Sequence, residues 1–254
     1  MTVLALYSNK GGVGKTAAAV NLSFLAAQSG VPTLICDLDP QSSTTYYYRV
    51  KPKIKPKARG LFRGNKQVRK SIKGTDYENL DILPADFTHR NLDITFVKLK
   101  RSKHRLTRIL KPLEDEYDLI ILDCLPTINI LAENIFNVAD YVLVPITPTT
   151  LSVRNHRQLI GFLDNIEYDL NSVHPFLSMV DYKKRTHREF IEEIRFEFKG
   201  VLKSVIPYLS LVERMDIERQ PVSAFAPISA ASNAYHNLWG DIQRDVILTA
   251  NKGV

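Results

Sequence analysis

Seven residues near the start of the chain, Lys10-Gly11-Gly12-Val13-Gly14-Lys15-Thr16, combine glycines, two lysines and a hydroxyl in an order suited to holding polyphosphate. Glycines let backbone N–H groups surround phosphate oxygens, and the positive end of a following helix adds to the attraction. Lys15 then neutralises the β- and γ-phosphates, and the Thr16 hydroxyl ligates Mg²⁺. Two further places carry acids at the ends of apolar runs. In Leu34-Ile35-Cys36-Asp37-Leu38-Asp39-Pro40-Gln41, Asp37 and Asp39 are two apart on a strand and point the same way, so both can approach one Mg²⁺–phosphate centre. The alternative for both is capping of the following turn. In Leu119-Ile120-Ile121-Leu122-Asp123, a strand-end carboxylate is placed to hold Mg²⁺ through water.

Such groups need strands and helices to bring them together. Apolar β-rich runs at Val3–Tyr7, Pro32–Cys36, Leu80–Leu83, Leu119–Leu122, Tyr141–Ile146, Phe176–Val180 and Val201–Ile206 are mostly continuous, as expected of strands covered on both faces. Helical periodicity fits Thr16–Gln28, Arg90–Leu110, Leu131–Val138, Ser152–Asn165, Arg188–Phe198 and Ala234–Leu248. This alternation predicts an α/β fold: a doubly wound, mostly parallel sheet with helices on both faces. Val3–Tyr7, the glycine-rich turn and the helix opening at Thr16 supply the strand–loop–helix setting of a P-loop. No repeat or Gly/Ser linker divides the 254 residues, so one domain spanning 1–254 is expected, with a basic surface insertion at about 49–75. The chain has no twenty-residue apolar stretch and no signal-peptide pattern, which predicts a cytoplasmic protein. Its two cysteines, Cys36 and Cys124, form neither a disulfide framework nor a metal-ligand spacing and are expected to be small buried hydrophobes.

The strict pattern G-x-x-x-x-G-K-[ST] is not met, because Asn9 stands where its first glycine would fall and Lys10 follows. With its K-G-G-x-G-K-[ST] loop, the chain resembles the ParA/MinD family of deviant Walker A P-loop ATPases. Asp37-Leu38-Asp39-Pro40-Gln41 resembles that family's D-x-D-P-Q switch, and the strand ending in Asp123 its Walker B element. The resemblance implies ATP and Mg²⁺ as cofactors and a slow ATPase activity without a partner. It also implies that Lys10 reaches across an ATP-bound homodimer to the partner's phosphates. By the same resemblance Asp39 orients or activates the attacking water, and Asp37 supports the metal's water shell. Asp181 and Pro207, at the ends of two late strands, become candidate adenine contacts. Two positions depart from the pattern. Ala17 replaces a second threonine that contacts the α-phosphate, and Leu125 replaces the first proline of D-x-P-P.

The charge distribution selects a branch of the family. Arg49 to Lys73 contains eleven Lys and Arg residues and no acid, whereas the whole chain carries a net charge of +7. The remainder is therefore mildly acidic, since 7 minus 11 is −4. Lys51, Lys53, Lys55, Lys57, Arg59 and Arg63 in that run, and Lys183, Lys184, Arg185 and Arg188 farther on, are candidate DNA contacts, because neutralising phosphates binds DNA of any sequence. The C-terminal stretch mixes both charges at helical spacing, unlike the basic amphipathic anchor of membrane-associating relatives. The chain is thus most similar to the ParA/Soj partitioning branch. That likeness implies a nucleoid-associated protein with a ParB-like cargo adaptor and no membrane partner. The rival expectation is a P-loop, ATP-dependent metabolic ligase acting on a small molecule.

Overall fold

The computed structural model describes residues 1–51, 65–85 and 102–247. Among the described residues one sheet contains eight strands: β1 (Thr2–Leu6), β2 (Thr33–Asp37), β3 (Lys73–Gly74), β4 (Leu80–Leu83), β5 (Leu119–Asp123), β6 (Tyr141–Ile146), β7 (Val173–Val180) and β8 (Val205–Pro207). Their order is β3-β4-β2-β5-β1-β6-β7-β8. Every neighbouring pair is parallel except β3 with β4, as the doubly wound expectation requires.

The continuous apolar runs are explained by the two faces of this sheet. Alternate residues of one strand enter different cores: Val3, Ala5 and Tyr7 pack on one face, Leu4 and Leu6 on the other. The first core is covered by helices that include Ile130–Phe136, Thr150–Asn165 and Arg185–Glu197, and the second by Lys15–Gln28 and Ala230–Asp241. All five residues of β2 and of β5 are buried, and fully burying one Leu or Ile contributes about 1.5–3 kcal/mol. Cys36 and Cys124 are free and buried on the first face, and burial pushes both thiols up.

Several elements differ from the sequence expectation. Residues 201–204 are not a strand, and β8 begins only at Val205. Within Arg90–Leu110, residues 90–101 lie outside the described residues; a short 3₁₀ turn at Ser102–His104 leads into the helix Arg105–Leu110. The last helix starts at Ala230, where Ser229 accepts the Ser232 N–H, and widens into a π-helical turn over Ile242–Ile247. The helices Ser43–Tyr47, Ser210–Glu213, Met215–Glu218 and Val222–Phe225 are too short for a 3.6-residue period to declare itself.

The helix Thr150–Asn165 carries a titratable group into the core. His156 is 3% exposed, neither ring nitrogen has a hydrogen-bond partner among the described residues, and its ring meets Phe198 edge-on at 4.4 Å. Burial lowers its pKa to about 4. Because the folded value lies below the unfolded one near 6.5, its contribution to stability is complete above pH 6.5. It is lost as the pH falls toward 4. We expect thermal unfolding between pH 6.5 and 4 to show an acid loss on the order of 3 kcal/mol from this group, which His156→Leu removes. An unchanged acid slope in that variant would refute the assignment.

Candidate functional site

The sheet order places a topological switch beside β1. From β1 the chain runs outward to β2 and β4, returns to β5 between β2 and β1, and continues to β6 on the far side of β1. Loops at the carboxyl ends of such strands form the crevice where α/β sheets bind ligands. The glycine-rich turn follows β1, Asp37 ends β2 and Asp123 ends β5. Strand register sets Asp123 opposite both Leu6 and Asp37.

The loop conformation depends on glycine at two points. Gly12 has φ +68 and Gly14 φ +89, and a Cβ on Gly14 would stand 2.8 Å from Ser178 Oγ. Gly14 ends the loop, and the helix begins at Lys15 with no side-chain cap. The first amides of that helix have no intrahelical acceptor and face the loop, an arrangement that binds anions. Lys15 is 7% exposed, and its ammonium donates to the Lys10 carbonyl at 3.0 Å. Burial pulls its pKa below the ordinary range, opposed by the nearby Asp123 and Asp39 carboxylates.

The carboxylates differ in their surroundings. Asp37 is 2% and Asp123 1% exposed. Burial raises both pKa values, and the charge of Asp123 raises Asp37 further. Asp37 Oδ2 accepts from the Thr45 N–H at 2.9 Å and hydroxyl at 2.7 Å, and Oδ1 accepts from the Asp39 N–H at 3.2 Å. Asp123 Oδ2 accepts from the Thr44 hydroxyl at 2.7 Å, while Oδ1 is buried without a hydrogen-bond partner among the described residues. An unsatisfied buried acceptor costs about 1–3 kcal/mol, which a cation or its bound water would relieve. Thr16 also lies against Asp123 and, with Thr44 and Lys15, opposes the rise in its pKa. Thr44 and Thr45 were missed by motif reading; the hydroxyl run Ser42-Ser43-Thr44-Thr45 directly after the switch aspartates was the available signal. Asp39 is half-buried, and its Oδ1 accepts from the Gln41 N–H at 2.9 Å. Lys10 extends the other way, its ammonium donating to Ser152 Oγ at 3.3 Å.

A cavity of about 360 Å³ adjoins the loop. Its lining includes Gly12, Gly14 and Ala17 of the loop and its helix, Pro207, Tyr208 and Leu209 at the end of β8, and Ser178 and Met179 of β7. Tyr47 and Asp216 also line it and are hydrogen-bonded to each other. The helix Ser43–Tyr47, which follows the switch aspartates, is thereby tied to the cavity wall. Of the two candidate base contacts, Pro207 lines this cavity and Asp181 is not among its lining residues. The Asp181 carboxylate instead accepts the Lys183 N–H at 3.0 Å, capping the turn before Arg185–Glu197.

The basic candidates are only partly described. Lys53, Lys55, Lys57, Arg59 and Arg63 lie outside the described residues, and Lys51 is exposed. The run's cations do have acidic partners from beyond it: Arg49 pairs with Asp76 at 2.8 Å and Arg69 with Glu116. Lys183, Lys184, Arg185 and Arg188 are all exposed. Lys184 stands 3.9 Å from Asp181 and Arg185 2.7 Å from Glu189, whereas no ion pair involves Lys183 or Arg188 among the described residues.

The chain is similar to several known proteins. A family model described as AAA domain matches residues 1–179. The sporulation initiation inhibitor protein Soj of Bacillus subtilis is 28% identical over 93% of this chain and 96% of its own. The virulence plasmid ParA family protein pGP5-D of Chlamydia psittaci is 30% identical over 96% of this chain and 95% of its own. Among solved structures, a plasmid partition protein of Borrelia burgdorferi bound to AMPPNP superposes with a TM-score of 0.81 at 22% identity, covering 96% of this chain and 99% of that one. Cobyrinic acid a,c-diamide synthase of Mycobacterium smegmatis, with an ATP analogue and magnesium, gives 0.79 at 22%, covering 100% and 96%. The two structural likenesses speak for the fold.

Proposed function

The chain belongs to the ParA family of P-loop ATPases, and on that premise we propose that it is a partitioning switch. ATP draws two copies into a sandwich dimer, the dimer binds DNA irrespective of sequence, and a ParB-like cargo adaptor stimulates hydrolysis and release. The observation that carries this reading is the division of labour between two lysines. Lys15 is buried in its own loop with its ammonium on the Lys10 carbonyl, whereas the Lys10 ammonium turns to Ser152 Oγ. A lysine in that position suits a partner's phosphates better than its own.

The residues present fit ATP and Mg²⁺. The glycine turn and free helix amides suit phosphates, and the unpartnered Asp123 Oδ1 suits a cation held through water. Thr16 and Asp123 would hold Mg²⁺, with Asp37 and Asp39 beside them. When bound, that ion offsets charge on the β- and γ-phosphates. Within the chain, Lys15 neutralises the phosphates, and Thr45 fixes Asp37 so that the Asp39 turn keeps its orientation. Asp39 accepts a hydrogen bond from the attacking water and aligns it with the γ-phosphorus. Pro207 meets the base, and Asp181, hydrogen-bonded in its own turn, supports that end of the sheet.

DNA contact by Arg49–Lys73 fits a chain whose positive charge is concentrated there. Among the described residues no helix is long and apolar enough to cross a membrane, and we infer a nucleoid-associated protein. The test is DNA affinity of the ATP-bound protein across a salt series. Replacing Lys51, Lys53, Lys55 and Lys57 with Gln should weaken binding to all sequences alike and flatten the log–log salt slope by about two to four units. An identical slope would move the contact to Lys183–Arg188. No DNA binding by wild type in any nucleotide state would end this reading. The second reading, an ATP-dependent ligase for a small molecule, draws on the fold likeness to the diamide synthase. A ligase needs neither a lysine directed to a partner nor a basic DNA footprint, and its ATP turnover would rise with a small carboxylate substrate rather than with DNA and adaptor.

A further inference from the structure

One side chain in the cavity has no role in the scheme above. Ser178 is 2% exposed, and among the described residues its hydroxyl makes no hydrogen bond. Its oxygen is not one of the sealed, unpaired side-chain atoms, so it stays open to whatever enters the cavity. Ser178 lines that cavity with Gly12, Gly14 and Ala17, and its Oγ approaches Gly14 so closely that a Cβ there would meet it at 2.8 Å.

The backbone is distorted at the same place. The β7–β8 register shifts between Leu177 and Val180, and Met179 adopts φ +55, a left-handed conformation costly for a residue with a Cβ. A bulge of this kind re-aims a side chain, and here the residue before Met179 faces the phosphate loop. Ala17 belongs to the same lining, and its methyl has no donor to offer.

We propose that the Ser178 hydroxyl is a nucleotide-binding donor, directed at the α-phosphate and sugar where they leave the glycine-rich loop. The location follows from the lining: Gly12 and Gly14 mark the phosphate end, Pro207 and Tyr208 the base end, and Ser178 sits against Gly14. It supplies from β7 a contact that the first turn of the loop helix lacks at Ala17. This inference rests on the cavity being the ATP site.

The test is calorimetric affinity of wild type and Ser178→Ala for ATP and for ADP, each with Mg²⁺, together with the melting temperature of each protein without nucleotide. A hydrogen bond to a charged acceptor is worth enough to weaken binding by about tenfold or more. Since ATP and ADP share the α-phosphate and sugar, both should weaken by the same factor, with the melting temperature of the free protein unchanged. Unaltered affinities would overturn the proposal, as would loss for ATP alone, which would put the hydroxyl at the γ end. A lowered melting temperature in the free variant would also overturn it by making Ser178 a structural residue. Wild type that binds neither nucleotide would instead refute the ATP-site reading itself.

Discussion

Lys15→Ala should lose ATP affinity by at least about a hundredfold, because charge-assisted hydrogen bonds to phosphate are roughly twice as strong as neutral ones and this ammonium makes more than one. The structure explains why neighbouring groups cannot compensate. Lys15 is buried within the loop, its ammonium 3.0 Å from the Lys10 carbonyl, and Lys10 itself points toward Ser152. Burial lowers the Lys15 pKa while Asp123 and Asp39 oppose that shift, so the same two carboxylates that hold the ammonium charged are left without it in the variant. Two acids, Asp123 buried and Asp39 half-buried, then face the phosphates with no fixed cation between them. Calorimetry with ATP and Mg²⁺ checks this; affinity within threefold of wild type would remove Lys15 from the phosphate site.

Asp39→Ala should separate binding from turnover. Asp39 is half-buried at the mouth of the switch turn, and Asp37 beneath it is held by Thr45 through two hydrogen bonds. The turn therefore retains its anchor when the Asp39 carboxylate is removed. ATP should bind with near wild-type affinity while hydrolysis falls by about a hundredfold or more, the usual range for a positioned base or water-orienting group. The ATP-bound dimer should accumulate. Phosphate release under saturating ATP checks the rate, and loss of ATP binding with no trapped dimer would make Asp39 a structural residue.

These two residues were legible in the sequence because each lies in a contiguous motif whose spacing has a local physical meaning. The loop needs glycines where φ is positive, and Gly12 and Gly14 are the positions that adopt it. Strand-end acids are visible because an apolar run stops at them. The rest of the site is assembled across the fold. Thr44 meets Asp123 over 79 residues of sequence, Tyr47 meets Asp216 over 169, and Ser178 meets Gly14 only because β7 is bulged. No spacing rule connects such pairs. The basic run was legible as composition, but its partners were not: Asp76 and Glu116 reach Arg49 and Arg69 from outside it. Asp181 shows the same limit of local reading, since a strand-end carboxylate can cap its own turn as well as face a ligand, and its Oδ1 accepts the Lys183 N–H.

Whether ATP joins two copies through Lys10 is decided by sedimentation of Asp39→Ala with ATP and Mg²⁺, beside the double variant Lys10→Ala/Asp39→Ala. Both proteins should bind ATP, since Lys15 and the loop amides are intact. The first should sediment as a stable dimer and the second as a monomer. A double variant that sediments as the same ATP-dependent dimer would show that Lys10 does not join the two copies.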